Sequence, residues 1–242
     1  GLSVPTTWDE LKDVAQKTTQ GNVTGFAMCC LQNEEGTFNF TPWLWSTGAT
    51  SYDINNDNGI KALTLVKDLV DAGSMSKEVI NWTQGDVMNQ FISGNIAMMV
   101  NGPWQVPTMR EQAPDLNWDV TLLPKDAEYA ACLGGENFGV IDGDNVDAAL
   151  DFLQFATSKD EVASYIDDFG YIAARKDVAE GQFTDDETMQ KFTEEMQYAQ
   201  PRGPHAQWPE ISDALSLAVN ESITGTSTPA DAAAKAQSTI DG

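Results

Sequence analysis

The residues of this 242-residue chain best suited to chemistry are aromatic rings, carboxylates and amides placed at turns. Trp104 closes the run Phe91-Ile92-Ser93-Gly94-Asn95-Ile96-Ala97-Met98-Met99-Val100-Asn101-Gly102-Pro103-Trp104. The spacing reads as a helix end, a glycine stop, a strand over 96–100 covered on both faces, and a Gly-Pro turn presenting an indole. Proline lacks the donor that a ladder needs and fixes its own φ, so the strand must stop there. A large aromatic just past a buried strand stands where open α/β sheets place ligands. Glu136 and Asn137 follow Gly134-Gly135, whose small size lets backbone approach a ligand closely. A glutamate and an amide there can bind hydroxyls, although Glu136 is equally suited to capping a strand end. The pattern points to a site built for binding.

Composition narrows the ligand. Thirteen basic against 37 acidic residues give a net charge of −24. That field repels nucleic acid and anionic lipid, and disfavours anionic small ligands unless the site is locally basic. Neutral or cationic ligands remain. An apolar content of 41%, with 10 phenylalanines and 7 tryptophans, describes a folded chain of one large or two modest domains. No window approaches the roughly 20 apolar residues that span a bilayer, and no signal peptide is evident. The opening Gly1-Leu2-Ser3-Val4-Pro5 lacks an initiator methionine, so the missing signal is no argument for the cytoplasm.

Cys29 and Cys30 are adjacent, Cys132 is remote, and there is one histidine, the wrong inventory for a Cys/His zinc site. The three thiols read as small buried hydrophobes. The segment Asp53-Ile54-Asn55-Asn56-Asp57-Asn58-Gly59 faintly mimics a calcium loop. Its glycine is displaced by one, and Thr64 stands where the bidentate glutamate belongs, so it reads as a helix cap. No metal and no cofactor is expected.

Thr7-Trp8-Asp9-Glu10 is a capping box for a helix to about Thr18, with Leu11, Val14 and Ala15 inward. Residues 25–31 read as a strand, and an aromatic stretch follows over 38–45. Asn58-Gly59 leads into a helix with Ile60, Leu63, Leu65, Val66, Leu69 and Val70 apolar. Thr83 caps another helix that ends near Ile92. Alternation at Trp118, Val120 and Leu122 predicts a strand closed by Pro124, and 134–141 a loop running into a strand. A helix from about Val146 is expected to bury Ala149, Leu150, Leu153 and Ala156, and a second runs from Lys159 to Asp168. Met189, Phe192 and Met196 stripe the next helix, and Ile211, Leu215 and Ala218 the one after. Thr228-Pro229 starts the last helix, with Ala232, Ala236 and Ile240 inward. Helices alternate with strands in the first half, which makes the class α/β.

Four collinear blocks resemble the bacterial extracellular solute-binding proteins of ABC importers, in the sugar-binding branch that includes maltose-binding protein. They are Thr7-Trp8-Asp9-Glu10-Leu11; 91–104 with its Gly-x-x-Ala-Met-Met-x-Asn-Gly-Pro-Trp pattern; Leu133-Gly134-Gly135 leading to 149–158; and Trp208 with the helix opened by Thr228-Pro229. The resemblance implies a two-lobed periplasmic-binding-protein-like (type II) α/β fold that closes on its ligand about a hinge. It makes this chain mainly the C-terminal lobe, 1–130 and 172–242. Residues 131–171 become a returning segment that packs on an N-terminal lobe not represented here. A chain cut by proteolysis or by design would explain both the odd start and the missing signal.

The same resemblance supplies roles. Sugars expose flat C–H patches that stack on aromatic faces, and hydroxyls that need donors and acceptors around the rim. Trp104 matches one family platform. Trp208, in the loop after Pro201-Arg202-Gly203-Pro204-His205, resembles the second. Phe40 and Trp43 fall in the stretch that lines the cleft in relatives and are open to both a cleft and a core reading. Trp8 and Trp118 are read as core, and Arg175 as an interlobe contact or a solvated charge. Glu136 and Asn137 would face the platforms across the cleft.

The function implied is capture of a sugar or oligosaccharide outside the cell and delivery to ABC permease subunits, without catalysis. There would be no nucleic-acid partner and no membrane insertion of this segment. The location is extracellular or periplasmic, with a lipid anchor at an N-terminus this chain does not include. A glycoside hydrolase is the alternative. It needs two carboxylates ~5–10 Å apart, and only Glu136 can be placed in the cleft. A binding protein for a cationic ligand such as a polyamine is a third reading, suggested by the charge.

Overall fold

Thr7 opens the first helix as a capping box requires: its hydroxyl accepts from the Glu10 amide, and the Glu10 carboxylate accepts from the Thr7 amide. In this computed structural model, which describes residues 1–242, the helices in chain order are α1 (Trp8–Thr18), α2 (Glu34–Ser46), α3 (Asp57–Asp71), α4 (Gln84–Ile92), α5 (Val106–Gln112), α6 (Val146–Ala156), α7 (Lys159–Tyr165), α8 (Lys176–Ala179), α9 (Glu187–Glu195), α10 (Trp208–Thr224) and α11 (Pro229–Ile240). Two short strands, β1 (Ala131–Cys132) and β2 (Ala199–Gln200), pair in parallel. The chain divides into two compact units: 1–101 with 121–133 and 195–242, and 102–120 with 134–194.

In the first unit α10 packs on α2, α3 and α11, and α11 also lies on α3. Their apolar stripes enclose Phe40, Trp43, Leu44, Leu63, Val66, Ile211, Leu215 and Ala232 in one core. Trp8 is sealed into it as expected, 6.3 Å from the Trp43 ring, and Phe26 meets Trp43 edge-on at 5.9 Å. Asn56 caps α3 by accepting from the Asn58 and Gly59 amides, so the calcium-like segment is a helix cap.

The sheet is thinner than the sequence suggests. The expected strand over 25–31, extended back to Thr24, runs parallel to 96–100 but meets it only at two isolated bridges, Thr24 with Ile96 and Ala27 with Met99. The bridges are three residues apart, so the alternation of two that a ladder requires is broken between them. Gly25 lies at the break, because its Cα is pressed against α1: a Cβ there would stand 1.9 Å from the Ala15 carbonyl oxygen. Only Ile96 of its run is buried, which corrects the expectation of a strand covered on both faces. The alternation at 118–122 appears as alternating burial without a strand, and Trp118 is half-buried instead of core.

The second unit has a small core of Val162, Ala173 and Val178, with Tyr165 and Ile166 against it. Arg110 of α5 makes two hydrogen bonds to Asp186, at 2.7 and 2.8 Å, and Asp186 also accepts from the Met189 amide at the start of α9. Two expectations fail here. Residues 134–141 form no strand, and Phe138 and Ile141 are 63% and 90% exposed. Helix α6 forms where predicted but buries none of its residues, and Leu150 is 52% exposed. The physical reason is common to both: these apolar side chains meet no covering layer within the unit.

Gly25→Ala should destabilise the first unit by about 3 kcal/mol, since backbone and not a flexible side chain blocks the new methyl. Equilibrium urea unfolding followed by tryptophan emission measures this; a change under about 0.5 kcal/mol would show that α1 is not seated as described.

Candidate functional site

Trp208 is the first residue of α10, with Pro209 next, a residue tolerated there because first-turn amides have no intrahelical partner. The indole packs partly on the core and is half-buried. Its Nε1–H donates to both oxygens of Glu34 at 3.0 Å each. Glu34 begins α2, where Asn33 caps the helix by accepting from the Gly36 amide. The same carboxylate accepts from Arg202 and from the Ser212 hydroxyl. Ser212 lies one turn beyond Trp208, on the same face of α10, with its hydroxyl oxygen 2.9 Å from that of Thr37.

The Arg202 guanidinium lies 4.9 Å from the centre of the Phe38 ring, a cation–π contact. Tyr52 donates to the Arg202 carbonyl at 3.3 Å, and its ring lies 5.3 Å from that of His205. Burial pushes the nearby Cys132 thiol up to about 11, so it stays neutral and adds no anion beside Glu34. This corner of the first unit thus combines flat rings with hydrogen-bonding groups whose charges cancel.

In the second unit Trp104 occupies a single 3-10 turn, Pro103–Gln105. Its ring lies so close over Gly102 that a Cβ there would come within 2.0 Å of the indole, which explains the glycine. Tyr171 meets Trp104 edge-on at 6.5 Å, and Phe169 stacks on Tyr171 at 6.3 Å. The Tyr171 hydroxyl donates to Glu136 at 3.4 Å. Burial, and after it the Glu136 carboxylate, raise the Tyr171 phenol above its ordinary value, which keeps it a donor at neutral pH. Trp104, Tyr171 and Glu136 therefore form one group, with Asn137 exposed on the same loop.

Phe40 and Trp43 take the core alternative. They are 0% and 2% exposed inside α2 and have no surface to offer a ligand. The aromatic stretch is helical, and a helix whose residues are apolar nearly all round turns them into the core. Arg175 is an exposed charge paired with Asp177. Cys29 and Cys30 are buried thiols, as read, whereas Cys132 is only partly so. Sequence reasoning missed Glu34, Phe38, Arg202, Ser212 and Tyr171. Two signals were present: Glu34 follows a capping asparagine at a helix start, and Ser212 stands four residues after Trp208.

Against this geometry, the family described as bacterial extracellular solute-binding protein matches residues 2–194. The chain belongs to that family. The match covers most of the sequence and bears out the resemblance carried by the four blocks. A binding protein of Brucella abortus strain 2308 is 27% identical over 252 residues, covering 98% of this chain and 61% of the relative. The structure of maltose-bound MalE3 from T. maritima superposes with a TM-score of 0.86 at 25% identity, over 99% of this chain and 66% of that one. A solute-binding protein of Thermotoga lettingae, solved with α-D-tagatose, gives 0.84 at 25% identity, over 98% and 65%. The fold is that of the type II periplasmic binding proteins. The chain spans less than two thirds of the length of each of these relatives. No helix is long and apolar enough to cross a membrane.

The Arg110–Asp186 pair supports the segment that carries Trp104, because α5 follows that turn directly. Hydrogen bonds from Arg110 hold the Asp186 carboxyl below its ordinary value. A lowered folded value means that the pair stabilises above the unfolded aspartate value of about 3.9, and that this is lost as pH falls through the folded value. Asp186→Asn should cost under about 1 kcal/mol at pH 7, because Arg110 is half-exposed. It should also flatten the acid limb below pH 4 in amide exchange at α5 and α9. An unchanged acid limb would assign the pH dependence to other carboxylates.

Proposed function

We propose that this protein captures a neutral sugar or oligosaccharide outside the cell and hands it to the permease of an ABC importer, performing no chemistry itself. The observation that carries the reading is the Trp208 corner, where Glu34 holds a half-buried indole and pairs with Arg202, whose guanidinium lies over Phe38. Aromatic faces with charge-compensated polar groups suit a polyol ring, which is apolar on its faces and polar at its edge. Relatives solved with maltose and with tagatose support the sugar class. Trp104, Glu136 and Asn137 are the further ligand-binding residues in this reading. The protein is lipid-anchored through a segment outside the sequence described.

We assign 1–130 and 172–242 to the C-terminal lobe, and 131–171 to a returning segment covered by the remainder of a longer protein. Supporting this is α6, which exposes Leu150, Phe152 and Phe155 with none of its residues buried. A helix apolar on several faces is normally covered. In a protein of the relatives' full length, α6 amides should exchange at least tenfold more slowly than in this chain; equal rates would sink the assignment.

The binding reading is tested by titrating tryptophan emission of that full-length protein with maltose and with D-tagatose. Saturable quenching by at least one is expected. Trp208→Ala should weaken it about 30-fold, or ~2 kcal/mol, as loss of a central aromatic anchor does. Trp104→Ala should weaken it by a comparable factor. A panel of mono- and oligosaccharides without effect on the wild type would end the sugar proposal.

A further inference from the structure

We infer that Glu34 is a positioning residue that sets the Trp208 indole and the Arg202 guanidinium, and that its carboxylate does not itself contact the ligand. The inference deepens the sugar-binding reading and rests on it for its functional half. An ionised carboxylate offers about four lone-pair sites on its two oxygens. Three protein donors already take most of them. Trp208 Nε1–H reaches both oxygens, Arg202 adds a donor to Oε1, and the Ser212 hydroxyl adds one to Oε2. A sugar hydroxyl approaching Glu34 would have to compete with donors already in place.

The donors come from separate pieces of chain. Trp208 and Ser212 are one turn apart on α10, while Arg202 lies on the segment after β2. Glu34 stands at the start of α2, next to its capping residue, so its backbone is fixed before the side chain acts. Ser212 is itself tied to Thr37 on α2, which holds the hydroxyl in register with the carboxylate. One anion thereby fixes the plane of the indole, and the arginine it draws in lies against Phe38. Charge-assisted bonds to an ionised group are the stronger kind, and a neutral replacement cannot reproduce all of them. An amide in place of the carboxylate keeps one oxygen and presents two N–H groups to partners that can only donate or, for Ser212, must turn round.

The test compares Glu34→Gln with the wild type, using the Trp208 indole N–H resonance, assigned through Trp208→Phe, and acrylamide quenching. Loss of the carboxylate should move that resonance by more than about 0.5 ppm in the proton dimension and raise the accessibility of the Trp208 ring. In the full-length protein, affinity for maltose or D-tagatose should fall at least tenfold. Ser212→Ala, which removes one donor and no charge, should move the resonance in the same direction by a smaller amount. It keeps the question open to measurement should Glu34→Gln unfold.

An unmoved resonance with a tenfold affinity loss would overturn the inference, since it would make Glu34 a direct ligand contact. A moved resonance with unchanged affinity would overturn it as well, because indole placement would then not matter to binding. Should the wild type bind neither sugar, the sugar reading falls by itself. The positioning of Trp208 by Glu34 is then decided by the resonance and the quenching alone.

Discussion

Ile211, Leu215, Val219 and Ile223 form an i, i+4 ridge along α10 that is buried against α2, α3 and α11 at once. Each such side chain contributes about 1.5–3 kcal/mol when fully removed from water, an upper estimate against a realistic unfolded chain. Ala214 and Ala218 let the neighbouring helices come close. Ser216 and Ser222 direct their hydroxyls back to the carbonyls of Ser212 and Ala218, so they enter the core without an unmet polar group. The ridge fixes the rotation of α10 about its axis. Once that rotation is set, Trp208 and Ser212 can only be directed at α2, where Glu34 and Thr37 receive them.

Charge organises the same region. A chain with 13 cations and 37 anions has few cations to use, and several join segments far apart in sequence: Lys61 to Asp126, Lys235 to Glu221, Arg110 to Asp186 and Arg202 to Glu34. Pairs one helical turn apart, such as Lys17 with Asp13, lie in solvent and contribute little. Arg202 differs from the rest in being mostly shielded and in resting on an aromatic ring. Its pairing with Glu34 offsets that one carboxylate within a strongly acidic protein.

Elements were legible where the local signal was strong. The capping boxes at Thr7 and Thr83, the proline after Thr228 and the apolar stripe of α3 predicted helices that form within a residue or two of their expected ends. Strands were less legible, because a strand exists only through its neighbour. Alternation at 118–122 describes a surface without saying whether another chain segment lies beside it. The site was half legible. Trp208 and Trp104 stand out by turn context and by resemblance, and Glu136 by the glycines before it. Glu34 is marked only by the capping asparagine before it, which says nothing of its partners, and Arg202 has no feature that separates it from any loop arginine. Phe40 and Trp43 carried a cleft reading and a core reading equally well until the rotation of α2 decided for the core.

The sequence alone determined the helices with strong caps and stripes, the acidic balance that favours neutral or cationic ligands, and the family, since these depend on residue type and short spacing. Helices α2, α5 and α8 were not among them. Tertiary structure decided which rings are sealed and which remain open. It also decided that one carboxylate at the start of α2 would gather an indole, a guanidinium and a hydroxyl from segments some 170 residues away. Long-range pairing of that kind depends on how helices rotate and pack against one another. No window of sequence contains that information, because the partners become neighbours only after the core between them has closed.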